Sequence, residues 1–319
     1  MKKFIYMMML VVGFMTSCSD DDVVSSSSPS VDNNKIVFTT KSDKMQTRGG
    51  VTLTSLSKFD VTAVTGNDAL FFKSQQFLYN STGGFFESTP SYFWPTTGTM
   101  NFYAISDPGN LILSASNLPG YTYTNWNGES DLVGAVVKAG EKKSPCPLIF
   151  HHLLSQVSVS FEAQDKTTPM TYKIVGLKMA APSNGVYHFG TVTGTAGSWI
   201  ITNSSMSEYS YNTALPVSFD QNASAKISNQ YWNILPVNDG TIVFRIEYVV
   251  IQNGQIVSDF TGSKYKECIV TTPKLAMGKK YCYNFILTHS SDNEIKFTST
   301  IADWAAEQSS QQTPVTPSK

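Results

Sequence analysis

The sequence predicts an all-β protein, because short stretches of alternating apolar and polar residues recur along it between turn-forming residues. Charged residues make up only 15% of the 319 residues. Serine, threonine, asparagine, glycine and aromatic residues are abundant, a mixture typical of exported β-sheet proteins with hydroxyl-rich solvent faces. No long segment after the N-terminus keeps a helical apolar stripe. Many short strands joined by turns favour β-sandwiches over layered α/β folds.

The N-terminal segment has the three parts of a bacterial lipoprotein signal. Two lysines precede an apolar run from Phe4 to Met15, and the small residue Ser17 stands before Cys18. The apolar run is too short for the roughly 20 residues of a membrane-spanning helix. We therefore expect removal of residues 1–17 and acylation of Cys18, for example with palmitate, which would anchor the chain to a membrane surface. The alternative is an ordinary secretory signal with an incidental cysteine.

A polar tether is predicted from residue 18 to residue 48. Its aspartates at 20–22 resemble signals that send lipoproteins to the outer face of the outer membrane, and their alternative role is a solvated leash. One short strand pattern interrupts the tether at residues 35–40. The tether ends at Arg48, the only arginine before residue 245, and Gly49 follows it. A polar stretch that ends in glycines is expected to be exposed.

The clearest strand patterns lie further along the chain. Residues 157–162 alternate apolar and polar side chains, as a strand with one buried face does. Residues 241–250 alternate in the same way, and Asn253-Gly254 then supplies the positive-φ pair of a tight hairpin turn before a returning strand at 255–260. The predicted buried face of the longer strand is formed by Ile242, Phe244, Ile246 and Tyr248.

A change of composition near residues 163–171 is the best candidate for a linker between domains. We therefore predict an N-terminal β-sandwich over residues 49–165 and a C-terminal β-sandwich over residues 166–319. The residues from 305 onwards are polar and proline-containing, which predicts a tail outside the second domain.

The charge balance and the missing motifs exclude several function classes. With 23 basic and 24 acidic residues the net charge is −1, so no positive field attracts nucleic acid. The chain lacks His-Glu-x-x-His, Gly-x-Ser-x-Gly and Gly-rich phosphate-loop motifs. His151 and His152 are adjacent on a predicted strand and point to opposite faces, so we expect one packing and one exposed histidine instead of a metal pair. We predict no catalytic site, metal or cofactor.

Three cysteines follow the signal cysteine, namely Cys146, Cys268 and Cys282. Cys268 and Cys282 lie in consecutive predicted strands, which makes them candidates for a cross-strand disulfide in an oxidising compartment. The alternative is that both are buried or half-buried thiols.

Several segments together resemble the fimbrillin-like proteins, the subunits of lipoprotein-derived (type V) pili. The resemblance spans most of the chain in the family's order. It rests on the signal ending at Cys18 and on residues 92–95, 100–106, 131–135, 148–157, 278–285 and 301–304. The resemblance implies two tandem transthyretin-like (Greek-key) β-sandwiches that assemble with other fimbrial subunits by strand exchange.

The resemblance also implies a maturation route. A trypsin-like protease cuts the lipid-held precursor after an arginine, the first strand leaves, and the C-terminal strand of a neighbour fills the vacated groove. Here the matching arginine is Arg48, before Gly49. The matching donor strand is residues 294–304, with Ile295, Phe297 and Ile301 on one face.

Three alternatives stay open at the sequence level. Arg48 can be a linker residue with no role in processing. Residues 294–304 can be an internal last strand, which suits a tip or accessory subunit instead of a repeating stalk unit. The rival to the whole route is an outer-membrane lipoprotein that stays anchored at the cell surface and binds a glycan or host ligand through its loops.

Overall fold

The computed structural model describes residues 32–42, 56–114, 118–210, 215–226, 231–271, 273–291 and 293–304. Within these ranges the secondary structure consists of 22 strands and one short 3-10 helix, Gly262–Lys264. The all-β prediction is confirmed. In the same ranges no helix has the length and apolar character needed to cross a membrane.

The strands are numbered in chain order. They are β1 (Phe38–Ser42), β2 (Lys58–Thr65), β3 (Leu70–Asn80), β4 (Phe85–Glu87), β5 (Met100–Ile105), β6 (Asn110–Leu113), β7 (Pro119–Tyr123), β8 (Val133–Gly140), β9 (Cys146–His152), β10 (Ser155–Ala163), β11 (Thr171–Pro182), β12 (Gly185–His188), β13 (Ser198–Ile201), β14 (Met206–Ser210), β15 (Val217–Asp220), β16 (Ser224–Lys226), β17 (Trp232–Ile234), β18 (Thr241–Gln252), β19 (Gln255–Phe260), β20 (Lys266–Thr271), β21 (Lys279–Leu287) and β22 (Lys296–Asp303).

Seven of the early strands form a closed sheet in the order β1-β4-β3-β2-β5-β8-β9. Its neighbouring strands are antiparallel except β1 and β9, which pair in parallel and close the sheet. The interior is filled largely by aromatic side chains, which bury much area per residue. Its buried rings include Phe38, Phe59, Phe77, Phe86, Trp94, Phe102 and Phe150.

Two later sheets face each other across a second, larger core. One has the order β16-β10-β21-β22, with β17 also paired to β10, and the other has the order β14-β11-β18-β19, with β15 and β20 at the sides of β11 and β18. Rings from the two sheets meet between them: Phe244 lies 5.1 Å from Tyr283 and 5.0 Å from Phe285 between ring centroids. This is the sheet-on-sheet packing of a sandwich.

Strand contacts cross the predicted domain boundary at residue 165. A fourth sheet has the order β13-β12-β7-β6, so it takes two strands from each side of that boundary. β10 also precedes the boundary, yet it pairs in parallel with β21. Strands from both sides of residue 165 thus share two sheets. The division into domains at residues 49–165 and 166–319 stays a prediction.

The predictions of two strands and a tight turn in residues 241–260 are confirmed. β18 alternates buried and half-buried residues, and Phe244 and Tyr248 on its inner face are fully buried. Asn253 and Gly254 have φ values of 51° and 77°, as a tight turn with two left-handed residues requires. β19 then returns along β18.

Candidate assembly site

β1 is the first described strand, and it fills the gap between β4 and β9. It pairs with β9 over five residues, from Phe38 opposite Cys146 to Ser42 opposite Phe150. On its other side only Phe38 pairs with β4, opposite Phe86. Without β1, the sheet would therefore open and expose the backbone N–H and C=O groups of β9.

The side chains just before β1 and at its first residue are buried, and Ile36 and Phe38 belong to the core of the closed sheet. Ile36, Val37 and Phe38 all have 0% exposure. The Phe38 ring packs edge-on against Phe77 at 4.8 Å and Phe102 at 5.1 Å between centroids. Removal of this segment would leave an apolar groove lined by these rings.

The residues just before β1 are fixed by polar contacts. Ile36 N–H donates to the carbonyl of Tyr92 at 2.8 Å, and Lys35 Nζ lies 2.5 Å from Glu87 Oε2. Two hydrogen bonds lower the pKa of Glu87, and the one from Lys35 has a larger effect than the one from Asn80. The ion pair is partly exposed, so it contributes little to the stability of the fold.

The predicted processing and lipidation residues lie outside the described residues. Arg48 and Gly49 belong to the stretch of chain between β1 and β2, and Cys18 precedes the first described residue. Their assigned roles stay predictions.

The predicted donor strand, residues 294–304, contains β22, and here it pairs with its own chain. β22 runs antiparallel to β21 and forms the edge of its sheet. Phe297 stands opposite Phe285 and Ile301 opposite Tyr281, both of which are core residues. Burial falls along this row: Ile295 is 7% exposed, Phe297 is half-buried and Ile301 is 46% exposed. Whether the strand is donated to a neighbour stays a prediction.

A buried cluster that the sequence did not predict holds the end of β22. The Trp304 ring stacks on the His152 ring with 4.3 Å between centroids and 8° between planes. His152 Nδ1 in turn lies 2.7 Å from Asp131 Oδ2. Asp131, His152 and Trp304 each lie in a segment that carries the family resemblance, but no sequence signal brings the three together, because they are far apart in the chain.

The two adjacent histidines separate as predicted into a packing residue and a more open one. His152 is buried, whereas His151 is half-buried and its Nε2 lies 2.7 Å from the carbonyl oxygen of Gly194. The second histidine is therefore less exposed than expected, because the loop at Gly194 covers it. Within the described part of the chain, no group of three or more histidine, cysteine or acidic side chains is arranged to hold a metal ion.

The candidate disulfide between Cys268 and Cys282 is not formed. Both thiols are free, as is that of Cys146. Cys268 on β20 is buried between the sheets and stands opposite Phe244, whereas Cys282 on β21 stands opposite Ser158 and Thr300 in the other sheet. The two strands follow one another in the chain but lie in different sheets, so the cross-strand prediction is corrected. Burial raises the pKa of Cys268 to about 12 and that of Cys146 to about 11.

The fold and these two strands define a multi-sheet β protein whose first described strand begins with a core residue and whose last described strand is an edge. The model of the family described as fimbrillin-like matches residues 33–304, and the chain belongs to that family. Membership makes it a fimbrial or adhesin-type protein of the cell surface and not an enzyme. No curated protein matches it.

Two of the solved structures that align with this chain come from Bacteroides species. A fimbrial protein from Bacteroides vulgatus aligns with a TM-score of 0.56 at 16% identity, covering 85% of this chain and 100% of that one. A candidate cell adhesion protein from Bacteroides uniformis aligns with a TM-score of 0.49 at 16% identity, covering 86% and 100%. At 16% identity the likeness to the Bacteroides vulgatus protein concerns the fold alone.

Proposed function

We propose that this chain is a subunit of a cell-surface fimbria that matures by cleavage after Arg48 and assembles by donor-strand exchange. The observation that carries the proposal is the position of β1. Its first residue, Phe38, and the two residues before it are fully buried, and the stretch that joins β1 to β2 contains Arg48 and Gly49. A single cut there would turn a core strand into a separable segment.

The burial at β1 explains why the vacated groove would need a new strand. Burying side chains of this size is worth roughly 1.5 to 3 kcal/mol each, so Ile36, Val37 and Phe38 together contribute on the order of 5 to 9 kcal/mol before entropy costs. An opened sheet also exposes the unpaired backbone edge of β9. A strand from a neighbouring subunit restores both contributions.

The strand that fills the groove is the neighbour's residues 294–304. It offers Ile295, Phe297 and Ile301 at period two on one face. Its middle residues carry no charge, and no other described strand pairs with its outer edge. A chain that accepts a neighbour's strand in its groove and donates its own last strand is a stalk subunit. A chain whose last strand stays in its own sheet is a tip or accessory subunit.

The proposed route includes membrane attachment before assembly. Lipid on Cys18 would hold the precursor at the outer membrane, facing the outside, and the cut after Arg48 would free the subunit from that anchor. The partners of the chain are then the membrane, a maturation protease and other fimbrial subunits.

The test is the N-terminus of the surface form in cells that make Arg48→Ala, Lys44→Ala or the unchanged chain. We expect the unchanged chain and Lys44→Ala, a control in the same segment, to begin at Gly49 and to assemble. Arg48→Ala should keep its lipidated N-terminus and remain a folded monomer. A blocked Cys18 on the unchanged chain would contradict the proposal and support the anchored rival.

One feature favours that rival, the anchored surface lipoprotein that binds a glycan or host ligand. Three loops at one end of the later sheets enclose an open cleft of about 590 Å³. Its polar lining consists mostly of uncharged amide groups, which suits a neutral, hydroxyl-rich ligand. The lining includes Met170, Gln221, Asn222 and Asn253.

A further inference from the structure

The end of β22 is held more firmly than β22 itself. Trp304, the residue directly after β22, is 1% exposed, and its backbone N–H donates to the carbonyl of Gly278 at 2.8 Å. By contrast β22 has one neighbouring strand, and Ile301 near its end is 46% exposed. An edge strand with few buried side chains opens locally unless something at its ends restrains it.

The seat of Trp304 is built to be rigid. The side chains of His152 and Asp131 are 4% and 3% exposed, and they meet at 2.7 Å. Neither carboxylate oxygen of Asp131 has a hydrogen-bond partner among the described residues, and Lys280 is its other electrostatic neighbour. A buried carboxylate is costly without a nearby partner, so the close contact with Asp131 positions the His152 ring, whose face lies against Trp304.

The seat belongs to a different part of the fold from β22. His152 ends β9 and pairs with Val133 at the start of β8, so the seat is formed by strands of the closed sheet. Trp304 therefore ties the last strand of the later sheets to the closed sheet. Loss of the Trp304 ring would leave the end of β22 held by the backbone bond to Gly278 and by the exposed ion pair between Asp303 and Lys279, while the rest of its own sheet stays in place.

We infer that Trp304, seated on His152 and Asp131, is a latch that holds β22 in its own sheet until assembly. This rests on the proposed function, in which β22 is the donor strand. Withdrawal of Trp304 from the His152 ring frees the end of β22, and the strand then peels from β21 by breaking a single ladder of hydrogen bonds. His152 and Asp131 are positioning residues for this step.

Hydrogen exchange of the whole chain, carrying Cys18→Ala so that it stays unlipidated, tests the latch without any need for polymerisation. Trp304→Ala should speed exchange of the β22 amides that bond to β21 roughly a hundredfold, the scale of losing a buried tryptophan. Exchange in β11 and β18 should stay unchanged. Trp304→Phe keeps a stacking ring and should change β22 exchange by about tenfold or less.

The matched control is Trp94→Ala, which removes an equally buried tryptophan from the closed sheet, 5.3 Å from Phe102. Trp94→Ala should not selectively accelerate hydrogen exchange of the β22 amides. His152→Asn removes the stacking ring while leaving Trp304 and should reproduce the selective effect. Unchanged β22 exchange in Trp304→Ala would overturn the latch. Equal acceleration in β11, β18 and β22, or failure of both Trp304→Ala and His152→Asn to fold, would make the cluster part of the global core and overturn it too.

Assembly is read separately, so the two ideas fail separately. If β22 opens selectively in Trp304→Ala but the cleaved chain never polymerises, the latch holds and the fimbrial proposal fails. If the cleaved chain polymerises and β22 exchange is insensitive to Trp304, the fimbrial proposal holds and the latch fails.

Discussion

The first and last strands of the described chain are held in opposite ways. β1 lies between two neighbours, and the residues from Ile36 to Phe38 are fully buried. β22 is an edge strand whose most buried contacts, Ile295 and Trp304, lie just beyond its two ends. A strand like β1 cannot leave without creating a groove that must be refilled, whereas a strand like β22 can leave with little loss once its ends are free.

β9 contacts both β1 and the tryptophan that follows β22. Residues Cys146–Phe150 of β9 pair with β1, and His152 at the end of β9 holds Trp304. The groove that we propose as the acceptor and the seat of the proposed donor strand are therefore neighbours within a single chain. This arrangement makes the contrast between β1 and β22 testable with substitutions at either end.

The largest difference in stability between changes in β1 and in β22 is expected at Phe38. Phe38→Ala removes a ring that packs against three other rings, so we expect the precursor to lose about 3 to 5 kcal/mol of stability. Denaturant unfolding of the purified precursor measures this. The control Thr39→Ala, at a half-buried position of the same strand, should change stability by less than about 1 kcal/mol. Equal effects of the two substitutions would show that β1 is not core.

A thiol on β9 can report the departure of β1. Cys146 stands opposite Phe38, and burial raises its pKa from 9.0 to about 11, so little thiolate exists at pH 8. Once β1 leaves, the pKa should fall towards its ordinary value, and labelling with a thiol reagent should accelerate about a hundredfold for two pKa units. Cys268, raised to about 12 in the other core, is the internal control and should stay slow. Unaltered Cys146 labelling after cleavage would mean that β1 remains in place.

The smallest effect on stability is expected at Ile301. This side chain is 46% exposed in its own sheet, so Ile301→Ala should cost the monomer less than about 1 kcal/mol. If Ile301 inserts into a neighbour, the same change should nevertheless reduce polymer formation, which size-exclusion chromatography follows. The control Ile256→Ala, at a 61% exposed position on β19, should affect neither. Normal polymers from Ile301→Ala would remove this residue from the donor row.

The parts of the fold that the sequence predicted are local. The alternation along β18 and the Asn253-Gly254 turn are properties of a few consecutive residues, and the structure confirms them. Along β10 the burial alternates only from Val159 onwards, because Ser158 on the opposite face is buried as well. The row of Ile295, Phe297 and Ile301 was found in the same way. Such patterns say which face of a strand is buried, but not which strand lies beside it.

The parts that the sequence missed depend on long-range contacts. Nothing in the residues of β1 shows that it pairs in parallel with β9, and nothing near Trp304 points to His152 or Asp131. The disulfide prediction failed for the same reason. Cys268 and Cys282 were placed as neighbours because their strands are consecutive, yet each strand pairs with a partner far away in the chain.

The parallel pairing of β1 with β9 also has a consequence for timing. A chain that is exported from its N-terminus delivers β1 first, but the residues that β1 needs, Cys146–Phe150, arrive much later. The hairpin of β2 and β3 can form in the meantime, because its strands are close in the chain. Contacts between distant segments form slowly, since a long loop must close before they contribute. The strand that we propose to leave first is therefore also one of the last to find its place.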